Sequence, residues 1–400
     1  MKCDKLDSGV WECVADGPRD PITNKRNQIR RRSKTKSAAK KKVEEEISKI
    51  ETYGVNGKRV KSLTFDDVAW EWLGVYSLGK IKASTIRSRT SSIKVLLRYI
   101  AGARIEKIDS RALQNILTDM DLKGNSVSTM ENVKVTAGLI FKYAFQHKMR
   151  IDNPISYVVV PKKVLTVEEI ENTTIEEKYF ERSELEEFLE TATTNGLYLD
   201  KEWFFLLAFT GIRAGEMCAL KWTDVFFDRK AIRITKTIDM PNHNMRKYEL
   251  TPPKTKASIR EIEVDDETMD MLKHHKIIQA KIKLSQRQRH ADYHDQNFVF
   301  NRTNGYPYSP RMVYDRTLRI IKKTSITKLE GPHIFRHTHI TMLAESGVDL
   351  KTIMDRVGHE DSKTTTEVYM HVTEKMKKDA PERLKVHYGN ILKLPKQIQM

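Results

Sequence analysis

Three histidines and one arginine lie within ten residues of the chain, in the segment GPHIFRHTHI (331–340), although the whole chain has only twelve histidines. His333 and His337 have the i, i+4 spacing of two metal ligands on a helix, but Ile334 occupies the position where such a zinc helix carries a glutamate. A packed polar cluster in a core helix is a second explanation. The third is a phosphate cradle in which His333 and Arg336 act together near a helix start. We predict no metal site here.

A second candidate anion contact lies in FTGIRAGEMCALKWTDV (209–225). Gly211 closes one helix, Arg213 follows two residues later, and another helix begins at once. This arrangement exposes an arginine beside free backbone N–H groups, which suits an anion. A surface ion pair between Arg213 and Glu216 is the alternative, because residues i and i+3 of a helix face each other.

Two further segments complete a set of residues suited to one reaction. PPKTKASIR carries Lys254, and VGHEDSKTTTEVYMHV places His359 after a glycine break with Tyr369 ten residues later. Attack of an oxygen nucleophile on a phosphodiester adds negative charge in the transition state, which arginines can offset without a metal. A tyrosine, with a pKa of about 10, must lose its proton to attack, and a histidine can assist. The leaving alkoxide needs a proton, which a lysine can supply.

The composition indicates a polyanionic partner. The chain has 400 residues, more than one hydrophobic core usually organises, so two or three domains are expected. Lysine and arginine outnumber aspartate and glutamate by 71 to 54, for a formal net charge of +17. Such a surplus favours nucleic acid or an anionic membrane. The longest strongly apolar run, residues 203–209, is too short to span a bilayer, so nucleic acid is the better partner.

The cysteines and the N-terminus bear on the compartment. Cys3, Cys13 and Cys218 are few, odd in number and scattered, which predicts neither a disulfide framework nor a zinc site. The N-terminus has no apolar signal region. Both observations favour a cytoplasmic protein.

Residues 1–60 read as a small sheet followed by a helix. GVWECVA (9–15) and NQIRRRS are predicted strands around the turn-rich DGPRDPITNKR, and KSAAKKKVEEEISKIETYG is a predicted helix. Ten lysines or arginines and no acidic residue lie between Lys25 and Lys42. A solvated charged face is possible, but a run of one sign is better explained by phosphate contacts. The side chains expected to contact DNA here are Arg30, Arg31, Arg32, Lys34 and Lys36.

The rest of the chain divides into two further domains and a linker. Residues 62–158 carry apolar residues at helical spacing, which predicts a bundle, and we expect Lys82, Arg87 and Arg89 on an exposed basic face to contact DNA. Residues 159–178 include an acidic stretch and read as a linker. Residues 179–400 are predicted to be mainly helical with a small sheet, with SELE (183–186) as a capping box and helix breaks at Gly347 and Gly358.

The four chemistry-bearing segments resemble, in order and spacing, the catalytic domain of the tyrosine recombinases, the lambda-integrase-like family, over residues 179–386. TGIRAGEMCALKWTDV resembles the first arginine box, PPKTKASIR the lysine hairpin, HIFRHTH the His-x-x-Arg box and VGHEDSKTTTEVYMHV the last box. The helical segment resembles the core-site-binding domain, and the N-terminal unit is similar to the arm-binding domain of phage and conjugative-transposon integrases. The resemblance implies an α+β multidomain fold: a sheet-plus-helix arm domain, an all-α core-binding bundle and a mainly α catalytic domain with a small sheet.

The resemblance also implies a role for each candidate residue. Arg213 and Arg336 would clamp the scissile phosphate, His333 would assist proton movement at the tyrosine, and His359 would hydrogen-bond the phosphate. The nucleophile would be Tyr369, forming a 3′-phosphotyrosyl link, and Lys254 would be the general acid. Lys256 is the alternative general acid, Lys254, Lys256 and Arg260 on or beside the hairpin could each contact DNA passively, and Tyr388 is the alternative nucleophile. Glu216 would orient the arginine box, while His337 and His339 would be packed, satisfied histidines.

The partners expected on the same ground are core-type and arm-type sites in double-stranded DNA and three further copies of the chain, in a tetramer with tail exchange. An accessory DNA-bending or excision factor is also expected, and no cofactor or metal. Two other functions remain open at the level of the sequence. A type IB topoisomerase shares the cleavage chemistry, but the arm-like N-terminal unit favours a recombinase. A DNA-binding regulator with an inert site is the other alternative, although all six expected residues are present.

Overall fold

The computed structural model describes residues 1–19, 26–53, 62–161, 178–253, 255–289, 292–358 and 363–378. The chain divides into two compact units, Met1–Val164 and Leu165–Met400. Most of the predicted linker and the tail after residue 378 lie outside the described residues. The boundaries of the three predicted domains therefore stay a prediction.

The first part of the N-terminal unit is an antiparallel sheet with a helix on one face. Its elements, in sheet order and then along the chain, are β1 (Lys2–Lys5), β2 (Trp11–Gly17), β3 (Asn27–Ser33) and α1 (Lys36–Tyr53). Cys13 and Ile29 from the strands pack against Ala39 and Val43 from the helix, because alternate strand residues point to one face. The two predicted strands and the helix are confirmed, and β1 was not predicted.

The cysteine prediction is wrong in this sheet. Cys3 of β1 lies directly opposite Cys13 of β2 in the antiparallel register, and the two form a disulfide with an Sγ–Sγ distance of 2.00 Å. A hairpin brings residues ten positions apart into cross-strand contact, which the scattered spacing did not indicate. Cys218 is buried and unpaired.

The second part of this unit is the predicted helical bundle. Its helices are α2 (Phe65–Ser77), α3 (Ala83–Ile100), α4 (Ser110–Leu122) and α5 (Val127–Gln146). A capping box between Thr64 and Asp67 opens α2, and Asp109 and Ser126 cap α4 and α5. The helices share an apolar core that includes Phe65, Phe141 and their neighbours, which is separate from the core of the sheet.

The second unit contains the predicted mixture of helices and short strands. Its helices are α6 (Arg182–Thr194), α7 (Asp200–Thr210), α8 (Ala214–Ala219), α9 (Asp266–Arg287), α10 (Pro310–Ile321), α11 (His333–Glu345), α12 (Leu350–Val357) and α13 (Lys363–Lys378). Its strands are β4 (Val225–Phe226), β5 (Ala231–Ile234), β6 (Thr237–Asp239), β7 (Glu249–Thr251) and β8 (Arg260–Glu263). They form one sheet in the order β4-β5-β8 and a second sheet of β6 and β7, all antiparallel. The α+β prediction is confirmed.

Two local details of this unit differ from the sequence prediction. Helix α6 starts one residue before Ser183, with Glu181 as its N-cap, and the Glu181 amide donates to Glu184 Oε2 at 2.8 Å. The predicted capping box at residues 183–186 is therefore wrong, because an earlier residue takes the cap position. The long helix α9 was not predicted.

No helix among the described residues is long and apolar enough to cross a membrane.

Candidate active site

Gly211 and Arg213 occupy the tight junction between helices α7 and α8. Gly211 has a φ of 63°, and a Cβ there would lie 2.7 Å from Cδ2 of His339, so both the backbone conformation and the space favour glycine. Arg213 is the N-cap of α8, and its amide donates to Glu216 Oε2 at 3.1 Å. Its Nη1 donates to Glu216 Oε1 at 2.8 Å, and the side chain is 31% exposed. Arg213 therefore forms the predicted ion pair with Glu216 and still leaves part of its guanidinium exposed.

Arg336 is fixed in the interior beside the same junction. Its side chain lies on the first turn of α11 and the residue is 2% exposed. Nη1 donates to the Gly211 carbonyl at 2.8 Å, and Nη2 donates to the Val357 carbonyl. Nε has no hydrogen-bond partner among the described residues. Burial, with Arg213 nearby, lowers the pKa of Arg336 below its ordinary value.

His333 opens helix α11 and lies close to both arginines. Burial lowers the pKa of its imidazole below the usual 6.5, and Arg336 and Arg213 lower it further, while Glu216 opposes them. The neutral form is therefore favoured at pH 7. A neutral imidazole can accept a proton, which is the property that the predicted role requires.

The other two histidines of this helix differ from each other. His339 is buried, its Nδ1 lies 2.9 Å from the Ala208 carbonyl, and Nε2 accepts a hydrogen bond from Arg356 Nε at 3.0 Å. Burial lowers its pKa to about 3, so this histidine is neutral and satisfied, as predicted. Burial lowers the pKa of His337 to about 4, but its buried Nδ1 has no partner in the described part of the chain. The prediction that His337 is fully satisfied is therefore wrong.

Tyr369 lies on helix α13, which packs against the helix that carries His333 and Arg336. The contact is a small apolar cluster formed by α11, α12 and α13, and the half-buried Tyr369 packs on it. Gly358, with a φ of 71°, ends α12 as a left-handed C-cap. The structure thus brings Arg213, His333 and Arg336 together and packs the tyrosine helix against α11, the helix that carries the last two.

The other predicted catalytic residues lie outside the described part of the chain. Neither Lys254 nor His359 is described, nor is the side chain of Lys256 or any part of Tyr388. The residues before and after Lys254 belong to the segment between β7 and β8, and Gly358 directly precedes His359. Their roles stay predictions.

Arg260 is buried in the site, whereas the sequence left a passive contact with DNA open for it. The residue is 9% exposed and its Nη2 donates to Glu216 Oε2 at 3.0 Å, so a passive contact with DNA is wrong for this side chain. Burial by itself would raise the pKa of Glu216, but Arg260 and Arg213 hold it below its ordinary value. The alternation of SIREIEV could have revealed this, because Arg260, Ile262 and Val264 are buried while Ile259, Glu261 and Glu263 are exposed.

The predicted DNA-contact residues of the N-terminal sheet lie on two faces. Arg30 and Arg32 are exposed on the face opposite α1, near Glu12, and Arg32 Nε donates to Glu12 Oε1 at 2.6 Å. Arg31 alternates to the helix side, where its Nη2 lies 3.0 Å from Glu46 Oε1. Lys34 and Lys36 are exposed after the strand.

The three predicted contacts of the bundle also differ in exposure. Arg87 is exposed and Lys82 is half-buried at the N-cap of α3. Arg89 turns toward the bundle and donates from Nη1 to Thr136 Oγ1 at 3.1 Å. The predicted exposure of Arg89 is therefore wrong, because this position of α3 faces α5.

The described ranges contain no group of three or more histidine, cysteine, aspartate or glutamate side chains arranged to hold a metal ion. Within those ranges, His333 and His337 thus have no third ligand of these types. The neighbours of His333 that affect its charge are the two arginines and Glu216.

Comparison with known proteins identifies the class to which this site belongs. Residues 178–376 match the phage integrase family. The chain is 33% identical over 374 residues to the probable integrase of prophage ps2 of Lactococcus lactis subsp. lactis, covering 90% of this chain and 93% of that protein. It is 30% identical over 355 residues to the integrase of Staphylococcus phage L54a, covering 85% and 98%. The chain belongs to the phage integrase family.

Within that family it is a tyrosine recombinase of the phage and conjugative-transposon type, an enzyme that cleaves and rejoins DNA at specific sites. Solved structures agree on the fold. The Tn1549 transposon integrase in complex with transposon right end DNA has a TM-score of 0.63 at 22% identity, covering 80% of this chain and 99% of that chain. A lambda integrase dimer bound to a COC′ core site has a TM-score of 0.55 at 16% identity, covering 92% and 94%. The prophage and phage integrases that match the chain favour recombination over a topoisomerase or an inert regulator.

Proposed function

We propose that this recombinase integrates and excises a prophage or another mobile element through a 3′-phosphotyrosyl intermediate formed on Tyr369, without a metal. The observation that carries the proposal is the junction at Gly211. There Arg213, His333 and Arg336 converge, and the helix of Tyr369 packs against the helix of the last two. The reaction would take place in the cytoplasm, with the DNA.

The chemistry conserves bond number and needs no external energy source. The Tyr369 hydroxyl attacks the scissile phosphorus, a P–O bond to the tyrosine forms, and the bond to the 5′ oxygen breaks. The transition state carries roughly one negative charge more than the phosphodiester, which Arg213 and Arg336 offset with fixed donors. His333 accepts the phenol proton in its neutral form. The reverse attack by a 5′ hydroxyl of another strand rejoins the DNA.

Two residues outside the described ranges complete this mechanism as predictions from the sequence. Lys254 donates a proton to the leaving 5′ oxygen, with Lys256 as the alternative donor, and His359 hydrogen-bonds the phosphate. A lysine suits proton donation better than an arginine, because an arginine does not give up its proton in a protein.

The two parts of the N-terminal unit are proposed to hold two kinds of DNA site. The bundle holds the core site, where cleavage occurs. The three-stranded sheet holds an arm-type site with the face that α1 leaves open, where Gln28, Arg30 and Arg32 are exposed. A small sheet of this width can enter the major groove and present such side chains to base edges and phosphates.

We propose that four copies of the chain assemble on DNA as a tetramer and exchange their C-terminal tails. One solved lambda integrase structure is a tetramer bound to a Holliday junction. A groove of about 1160 Å³ between α6, α7 and α11 supports a docking place, because apolar side chains line it and glutamates surround it: Leu185, Leu189, Phe205, Phe209, Met342, Glu186, Glu190 and Glu345. The tail after residue 378 carries Leu384, Ile391 and Leu394 among lysines, which complements that lining. An accessory DNA-bending or excision factor completes the proposed assembly.

Trapping the covalent intermediate on nicked DNA tests the function. Tyr369→Phe should abolish the protein–DNA adduct and leave DNA affinity nearly unchanged, because one hydroxyl adds little to an interface dominated by phosphate contacts. Tyr388→Phe is the matched control and should form the adduct at the normal rate. The wild-type adduct should also form in excess chelator. An adduct with Tyr369→Phe, or a chelator block relieved by magnesium or zinc, would refute the proposal.

A further inference from the structure

Arg260 joins three segments of the active site through one buried side chain. Its Nε donates to the Arg356 carbonyl at 2.7 Å, Nη1 to the Ser258 carbonyl at 3.1 Å, and Nη2 to Glu216 Oε2 at 3.0 Å. These acceptors belong to the end of α12, to the segment that returns from Lys254, and to the arginine box. The planar guanidinium presents its donors in a rigid fork that reaches all three acceptors at once.

Glu216 is the buried anion between two cations. Its side chain is 3% exposed, Oε1 accepts from Arg213 Nη1 at 2.8 Å, and Oε2 accepts from Arg260. A buried carboxylate with a single cation would hold that cation strongly, since unpaired buried charge is costly. With Arg260 neutralising Glu216, the charge of the partly exposed Arg213 remains available to an incoming phosphate.

The same guanidinium stem also fills the space beside Gly358. A Cβ on Gly358 would lie 3.1 Å from Arg260 Cδ and 3.1 Å from the Ala257 carbonyl oxygen, and Ser258 Oγ lies 3.4 Å from the Gly358 carbonyl oxygen. The segment that returns from the lysine position is therefore packed against Gly358 at the end of α12. Movement of Arg260 would disturb both.

We propose that Arg260 is a positioning residue for strand cleavage: it neutralises Glu216 and so holds Arg213 in the geometry and charge state that the scissile phosphate requires. This inference rests on the proposed role of Arg213 at that phosphate. It assigns Arg260 no contact with DNA.

The test is single-turnover cleavage of nicked DNA over a range of protein concentrations. Arg260→Met should slow cleavage at saturation by roughly 10- to 100-fold, the range typical of residues that orient a reactive group. The half-saturating concentration should change less than about threefold, because the substitution disturbs cleavage geometry rather than DNA affinity. Arg229→Met is the control, since Arg229 forms an exposed ion pair with Glu261 on the same sheet, and it should cleave normally.

The decisive comparison adds Glu216→Gln to Arg260→Met. Removing the carboxylate charge releases Arg213, so the double variant should cleave about tenfold faster than Arg260→Met alone, although Glu216→Gln by itself should slow the otherwise wild-type enzyme. If Arg260 only stabilised the fold, the effects of the two substitutions on the activation free energy would add, and the double variant would cleave more slowly than either single variant. Arg260→Gln replaces Arg260→Met in both arms if the methionine variant does not unfold cooperatively in a thermal melt.

Two outcomes overturn the inference: normal cleavage by the neutral Arg260 variant, or a double variant no faster than it. A failure of the proposed function can be told apart from a failure of this inference, because it would appear in the wild type or in Arg213→Ala. A wild type without adduct, or an Arg213→Ala variant that cleaves at the wild-type rate, contradicts the proposed function whatever Arg260 does.

Discussion

At the scale of single residues, the site is a balance of charges in a confined space. Arg336 donates its Nη groups to backbone carbonyls, whereas Arg213 keeps part of its guanidinium exposed beside a shared carboxylate. His333 lies in the field of both arginines. The arginines are therefore placed before DNA arrives, which limits the reorganisation that binding requires.

The pH dependence of cleavage should report the state of His333. Burial, Arg336 and Arg213 lower its pKa, so the neutral base persists below the usual 6.5 and is lost only as pH falls through the lowered value. At subsaturating protein, the acidic limb of the cleavage rate should therefore have its midpoint below pH 6.5. His333→Gln should lose that limb and on the order of 10²-fold in rate. A midpoint above 6.5, or an unchanged limb in the variant, would contradict the assignment.

At the scale of secondary structure, strand alternation decides which basic residues can meet DNA. On β3, Arg30 and Arg32 point away from α1, and Arg31 points toward it and pairs with Glu46. On α3, Arg87 is exposed and Arg89 is bonded to Thr136. The number of basic residues in such a sequence segment is therefore larger than the number of side chains available to phosphates.

Binding of an arm-type DNA site should depend on the open face of the N-terminal sheet. Arg30→Ala and Arg32→Ala should each weaken binding and lower the salt slope by about 0.9 for each phosphate that the variant no longer neutralises. Arg31→Ala is the matched control on the same strand and should retain the slope. A chain that begins at Ser62 should bind and cleave the core site but should not bind the second site. Equal binding of all sites by the shortened chain would contradict the arm assignment.

At the scale of the whole molecule, the proposed strand exchange joins ends held by different protomers, so it would need more than one copy of the active site. The groove between α6, α7 and α11 is an apolar surface that a segment of a neighbouring chain could cover. The tail supplies apolar residues that a solvated terminus would not need.

Deleting the residues after Tyr388 should therefore impair strand exchange more than DNA binding. The deletion removes the proposed link between protomers but leaves the phosphate-binding side chains of each protomer in place. Band-shift titrations should give nearly unchanged affinity for a single core site, while recombination between two sites falls at least tenfold. Full recombination by the shortened chain would show that the tail is dispensable.

The sequence by itself determined the catalytic class and most of the elements that serve it. The boxes that contain Arg213, Arg336 and Tyr369 are recognisable because their chemistry depends on residue type and local spacing. Helix ends at Gly211 and Gly358 were readable for the same reason, since a left-handed C-cap is a local property of glycine.

Only the tertiary structure decided which distant groups meet. Arg260 and Glu216 are 44 positions apart, and Cys3 meets Cys13 only through the strand register. Alternation could place Arg260 on an inward face, but it could not name the carboxylate that lies there. Burial makes the ion pair between Arg260 and Glu216 important for the site, because an ion pair removed from water constrains its neighbours far more than the same pair on the surface.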